Sequence, residues 1–183
     1  MTGNRSRVVV YGAILLLLYP ALVGVIQISN VITQPDSDEF PESCDDSPFK
    51  CSRLGPNPHR STGETELRFT NTTILSISSA IQSWVSEEPY SREVNREEGV
   101  TVEVHIVVKT KWMRFADDVF IHVECDGPDA IVWIHSEARA GVSDIGVNGE
   151  RITEIKSALI ETSNADKSCS GLTDGLPSHS HES

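Results

Sequence analysis

Residues 100–108 read Val-Thr-Val-Glu-Val-His-Ile-Val-Val, residues 118–124 read Asp-Val-Phe-Ile-His-Val-Glu, and residues 131–138 read Ile-Val-Trp-Ile-His-Ser-Glu-Ala. In the first run Val102, Val104, Ile106 and Val108 share one side, opposite Thr101, Glu103 and His105. The second puts Val119, Ile121 and Val123 on its apolar side, and the third puts Val132, Ile134, Ser136 and Ala138 together. Alternation with a period of two in successive runs predicts an antiparallel meander with one buried face. Cys125-Asp-Gly-Pro-Asp129 supplies the turn chemistry between the last two runs. An earlier strand is expected over residues 90–95 and a short one over 66–69, with a loop over 52–63.

Helical spacing flanks the meander. Ile74, Ile77, Ile81, Trp84 and Val85 fall on one face of a helix predicted over 73–86, which Pro89 ends. Ile152, Ile155 and Leu159 do the same for a helix over 147–160, with Ser143, Asp144 and Asn148 as candidate caps. The expected fold class is therefore α+β: an antiparallel sheet meander with helices packed on one face.

Ahead of this domain, residues 8–28 carry no charge and are long enough to span a bilayer core. Arg5 and Arg7 precede them; Asp36, Asp38, Glu39, Glu42, Asp45 and Asp46 follow, with no Lys or Arg before Lys50. The positive-inside rule then places a short N-terminus (1–7) in the cytoplasm, an anchor over 8–32, and everything else outside. A cleaved signal peptide would need a shorter apolar region and a small-x-small site, which Pro20-Ala-Leu-Val-Gly24 matches poorly. The remaining organisation expected is an acidic extracytoplasmic tether over 33–50, the α+β domain over 51–162, and a disordered tail over 163–183 rich in Ser, Gly, Asp and His.

The formal net charge is −12. A polyanion repels such a surface, which argues against nucleic acid and anionic lipid as partners. Cys44, Cys51, Cys125 and Cys169 all fall on the expected outer side, where disulfides persist. Four cysteines allow three pairings; the short spacing favours a Cys44–Cys51 loop. Zinc-type Cys/His spacing is lacking, so neither a metal nor a cofactor is expected.

The stretch from Lys111 to Arg151 collects the candidate site. With the hairpin centred near Gly127, Asp118 pairs with Glu137 and Asp117 with Ala138, which brings Arg139 beside the two aspartates with Arg114 nearby. Ser143, Asp144, Asn148 and Arg151 adjoin this cluster at the start of the second helix. The cluster reads either as a cleft in which Arg114 and Arg139 grip a small anionic ligand, or as an ion-pair and capping network that fixes the hairpin to the helix. Adjacent strand residues point to opposite faces, so Asp117 and Asp118 make a poor acid–base pair. The same register aligns His105, Phe120 and His135, with His122 one row away. Three imidazoles on one face are a metal candidate, set against the plainer reading of a solvated polar face.

Arg114-Phe-Ala-Asp-Asp-Val119 and Ser136-Glu-Ala-Arg-Ala-Gly-Val-Ser-Asp-Ile-Gly-Val-Asn148 resemble two blocks of a bacterial, archaeal and plastid family known as domain of unknown function 1499. Arg151 matches a basic position after the second block. Ser47-Pro-Phe-Lys-Cys-Ser52 is similar to an entry motif in which Lys50 replaces Asn. The resemblance implies an envelope-associated domain and supplies no activity. The expectation is a membrane-anchored binding or scaffolding module, partnered by an envelope protein or a small anionic ligand. A hydrolase or other small-molecule enzyme using the Arg114/Asp117/Asp118/Arg139/Ser143/Asp144 cluster is the alternative.

Overall fold

A computed structural model gives the architecture and describes residues 2–45, 48–61, 63–162 and 168–169. The elements run α1 (Thr2–Ile32), β1 (Cys51–Leu54), β2 (Leu67–Phe69), α2 (Ile74–Glu87), β3 (Ser91–Glu98), β4 (Val102–Lys109), β5 (Ala116–Asp126), β6 (Asp129–Ala138) and α3 (Val147–Thr162). β3 to β6 form the expected meander. β1 and β2 both add to the far edge of β6, giving a six-stranded antiparallel sheet in the order β1-β6-β5-β4-β3. The fold is α+β, as the alternation predicts.

The period-two residues do what their spacing requires. Val102, Val104, Ile106, Val108, Val119, Ile121, Val123, Val132 and Ile134 form one buried sheet face. Over it lie Ile74, Ile77, Ile81 and Trp84 of α2 and Ile152, Ile155 and Leu159 of α3. A fully buried Ile or Leu contributes about 1.5–3 kcal/mol, so this layer carries most of the favourable term in folding. α2 begins where Thr73 caps it: the Thr73 hydroxyl accepts the Ser76 N–H at 3.2 Å. It stops at Glu88, ahead of Pro89. The β5–β6 turn closes on an Asp126–Asp129 pair, with Gly127 at φ 61° supplying the left-handed residue.

Two features depart from expectation. Residues 51–54 are a strand paired with residues 134–137 of β6, although a loop was expected from residue 52. Four residues ending at Gly55-Pro56 are too short for an alternation signal, and both Ser52 and Arg53 are buried polar groups. The second face of the sheet is not solvated. His135 is 0% exposed and His105 only 2%, and His122 is buried too. Residues 33–42 fold back across this face as a strap. The Phe40 ring sits 6.0 Å from His122 and Trp133 and 6.3 Å from His135, centre to centre, and the Arg53 guanidinium packs 4.6 Å from the centre of the same ring. Arg53 also donates to the Pro41 and Pro56 carbonyls. Apolar and π surface on the strap thus replaces the water expected there.

α1 includes a stretch, Val10–Ile32, long and apolar enough to cross a membrane. Its last turns dock on the domain: Asn30 donates to the Arg114 carbonyl at 2.7 Å, and its side-chain oxygen accepts the Ala116 N–H at 3.1 Å. The disulfides are Cys44–Cys51 and Cys125–Cys169. The first is the favoured local pairing. The second ties Cys169 to the β5–β6 hairpin, and the Cys169 N–H donates to the Pro128 carbonyl at 2.9 Å. The rest of the tail expected to be disordered lies outside the described residues.

Candidate functional site

The hairpin register is the one the turn dictates: Asp118 opposite Glu137 and Asp117 opposite Ala138. Adjacent residues of a strand face opposite sides, and the two aspartates accordingly go to different partners. Asp118 lies on the strap side. It receives a two-pronged Arg139 guanidinium, Nε to Oδ2 and Nη2 to Oδ1, both at 2.7 Å. The third donor of Arg139, Nη1, reaches the Asn30 carbonyl at 3.0 Å. Asp117 lies on the helix side, where Arg151 Nη2 donates to its Oδ2 at 2.9 Å.

Arg151 also donates through Nη1 to Asn148 Oδ1 at 2.7 Å and to the Ser136 hydroxyl at 3.2 Å. The Ser136 hydroxyl in turn donates to Asn148 Oδ1 at 2.6 Å, and Asn148 Nδ2 donates to the Lys50 carbonyl at 2.7 Å. Asp144 caps α3: its carboxylate accepts the Gly146 and Asn148 N–H groups at 3.1 and 3.0 Å. Arg60 adds a 2.8 Å ion pair to it. Buried polar groups need such partners, and here they join β1, β5, β6 and α3.

Two predicted members stand apart. Arg114 is not in the cluster. Its backbone is left-handed, at φ 62°, and its guanidinium lies 4.3 Å from the centre of the Tyr90 ring. Only its carbonyl faces the site, as acceptor for Asn30 and Gln27. Ser143 is exposed, and its hydroxyl accepts the Ile145 N–H at 3.2 Å. The anion grip by Arg114 and Arg139 is therefore not formed: one arginine is elsewhere and the other is engaged on three sides.

The strap contributes what sequence reasoning missed. His105 Nε2 meets Asp118 Oδ1 at 2.7 Å, and His105 Nδ1 meets Asp38 Oδ1 at 2.5 Å. A chain of contacts thus runs Asp38–His105–Asp118–Arg139. Burial pulls the His105 pKa down, but the hydrogen bonds to Asp118 and Asp38 outweigh it and hold the imidazole above its ordinary value. Burial likewise pushes Asp118 up, and His105 and Arg139 outweigh it, leaving the carboxyl below its ordinary value. Asp117 goes the other way, since burial raises it more than Arg151 lowers it. Asp144 is held down by its N–H donors and Arg60 against the opposing pull of burial.

The imidazoles do not assemble a metal site. His105 is taken by two aspartates, and His122 Nδ1 pairs with Glu103 at 3.0 Å while its ring stacks on Trp133. His135 faces Arg53 through Nδ1 and Glu137 through Nε2, and burial lowers its pKa. Among the described residues, the group of metal-capable donors within reach of one another is Cys44, Cys51 and His135, and its two sulfurs form a disulfide.

A cleft of about 650 Å³ opens between the strap and the ends of β5 and β6. Phe40 and Phe120 line it, with Lys50 and Glu137 at the β6 side and Asp36, Glu39 and Glu42 along the strap.

Sheet, strap and docked helix define a small α+β domain whose polar cluster is an interlocking framework, carried on a helix of membrane-spanning length. The model of the family described as "Protein of unknown function (DUF1499)" matches residues 44–159, more than half of the sequence, and the chain belongs to that family. No curated protein matches the chain, and no solved structure does.

Proposed function

We propose that the protein is a single-pass, membrane-anchored domain facing the extracytoplasmic side, and that it works as a binding or scaffolding module of the cell envelope. The charge asymmetry around α1 and the two disulfides support the outward orientation. One observation carries the module reading: Arg139 spends its guanidinium on Asp118 and on the last turn of α1. The polar cluster thus fixes the domain to its anchor at a set angle. Binding falls to the strap cleft, whose acidic rim of Asp36, Glu39 and Glu42 suits a neutral or cationic partner group better than an anion. The hydrolase reading gains no support, because the candidate acid–base carboxylates are held by arginines and Ser143 faces solvent.

Site-specific photocrosslinking in intact cells tests this. A photoreactive side chain in place of Glu42 is expected to give a discrete adduct. The same group at exposed Gln82, on the opposite helical layer, is expected to give none. Absence of any adduct at 42 overturns the binding role of the cleft.

A further inference from the structure

We propose that Asn71 is an acceptor for N-linked glycosylation and carries a sugar on the end of the domain away from α1. The proposal rests on the outward orientation given above, because the sugar would be attached on that side. Residues 71–73 read Asn-Thr-Thr, the Asn-x-Thr pattern of an acceptor with no Pro in the middle. Three residues recur by chance, and it is the setting of Asn71 that singles it out. Asn71 is exposed and holds a left-handed backbone at φ 51°, a conformation that asparagine tolerates. Its neighbour Thr72 turns inward: it is 1% exposed, and its hydroxyl donates to the Thr70 carbonyl at 3.2 Å. The turn thus buries one side chain and presents the other. Among the described residues the Asn71 side-chain amide makes no hydrogen bond, so no contact of the fold has to break for its nitrogen to react.

Asn71 also lies clear of the helix and the strap. It follows β2, whose last residue, Phe69, pairs with Ala130, and Ala130 pairs with Cys125 beside the β5–β6 turn. α1 meets the sheet at the other end of β5, at Ala116. From Ala116 to Cys125 the strand rises about 30 Å, at about 3.3 Å per residue. A bulky, hydrated group at this end disturbs neither the Asn30 contacts nor the cleft. The chemistry is transfer of a sugar from a polyprenyl phosphate or diphosphate donor by a membrane transferase. The amide nitrogen bonds to the anomeric carbon, the bond from that carbon to the phosphate oxygen breaks, and the lipid phosphate leaves with the electron pair. The amide proton goes to a base of the transferase. The motif also needs the hydroxyl two residues on. In the folded domain the Thr73 hydroxyl accepts the Ser76 N–H at the start of α2. The transferase therefore takes the segment before the first turn of α2 closes, and folding then leaves the sugar on the surface.

Peptide mass spectrometry of the full-length protein, recovered from membranes of the cells that naturally make it, provides the test. Asn4-Arg-Ser6 is the other match to the pattern in the chain, and the proposed topology puts it on the cytoplasmic side, so it serves as an internal control. The peptide carrying Asn71 is expected to be heavier by the mass of whole sugar residues, and the peptide carrying Asn4 to be unmodified. Two variants remove the acceptor pattern and keep the local structure. Asn71→Gly retains a residue suited to a left-handed backbone, and Thr73→Asp retains a helix cap. Both are expected to lose the added mass with an unchanged circular dichroism spectrum. Added mass that survives in either variant overturns the assignment to Asn71. No sugar at either asparagine overturns the acceptor site and leaves the outward orientation standing. Sugar at Asn4 and none at Asn71 overturns both.

Discussion

At the scale of single residues, Arg139 shows how a motif can look like a ligand site and be a joint. Its side chain and that of Asp118 are largely buried, and each of its three guanidinium nitrogens donates a hydrogen bond. Removing it leaves a buried carboxylate with only His105 for company. Breaking such a pair from one side costs about 3–5 kcal/mol. Arg139→Ala is therefore expected to lower the free energy of unfolding by that order in chemical denaturation. Adding Asp118→Asn is expected to recover part of the loss, whereas adding Asp117→Asn is not, since Asp117 belongs to Arg151. A single variant as stable as the parent would return Arg139 to the pool of ligand-binding residues. Arg114 makes the converse point. Its place beside Asp117 in the sequence suggested a shared site, but a left-handed backbone turns it toward Tyr90, and no spacing rule reports a φ angle.

At the scale of elements, the strap is held by a titratable clasp, Asp38 to His105 to Asp118, with Arg139 as the remaining charge on Asp118. His105 has a folded pKa above 6.5, its ordinary value. Its contribution is fully present below that unfolded value and is lost as pH rises through the raised one. Asp118 is depressed, so its contribution is present above 3.8 and is lost as pH falls through the lowered value. The excess stability of the parent over His105→Gln is therefore expected to be largest between 3.8 and 6.5 and to shrink on the alkaline side. Denaturation midpoints of both proteins across that range check it; a constant difference would mean that the imidazole is neutral in the clasp. The strap was hidden from sequence reasoning for a physical reason. Its acidic, Pro-containing composition is that of a solvated linker, and its partner His105 lies 67 residues away.

At the scale of the whole molecule, protease added to intact cells or right-side-out vesicles is expected to digest the sheet domain and spare the anchor. Protection of the C-terminal part would reverse the topology. The domain's core layer was readable in advance because both periods in the sequence, two and 3.6, agree with one burial plan. The β5–β6 register was readable because one turn sets every pair after it, so Asp118–Glu137 and Phe120–His135 followed from Gly127 alone. β1 escaped notice because it earns its place by pairing with β6 and burying Arg53, which only the assembled sheet can supply.

The strap is fastened at both ends. α1 holds it at Ile32 through Asn30, and the Cys44–Cys51 bond holds it at the other. Between those posts it is a hoop with a fixed circumference: it can bow outward from the sheet, but it cannot swing clear of it. Whatever occupies the space behind it has to enter through the open sides and be small enough to pass, or be a chain end that can be drawn through like a cord through an eyelet.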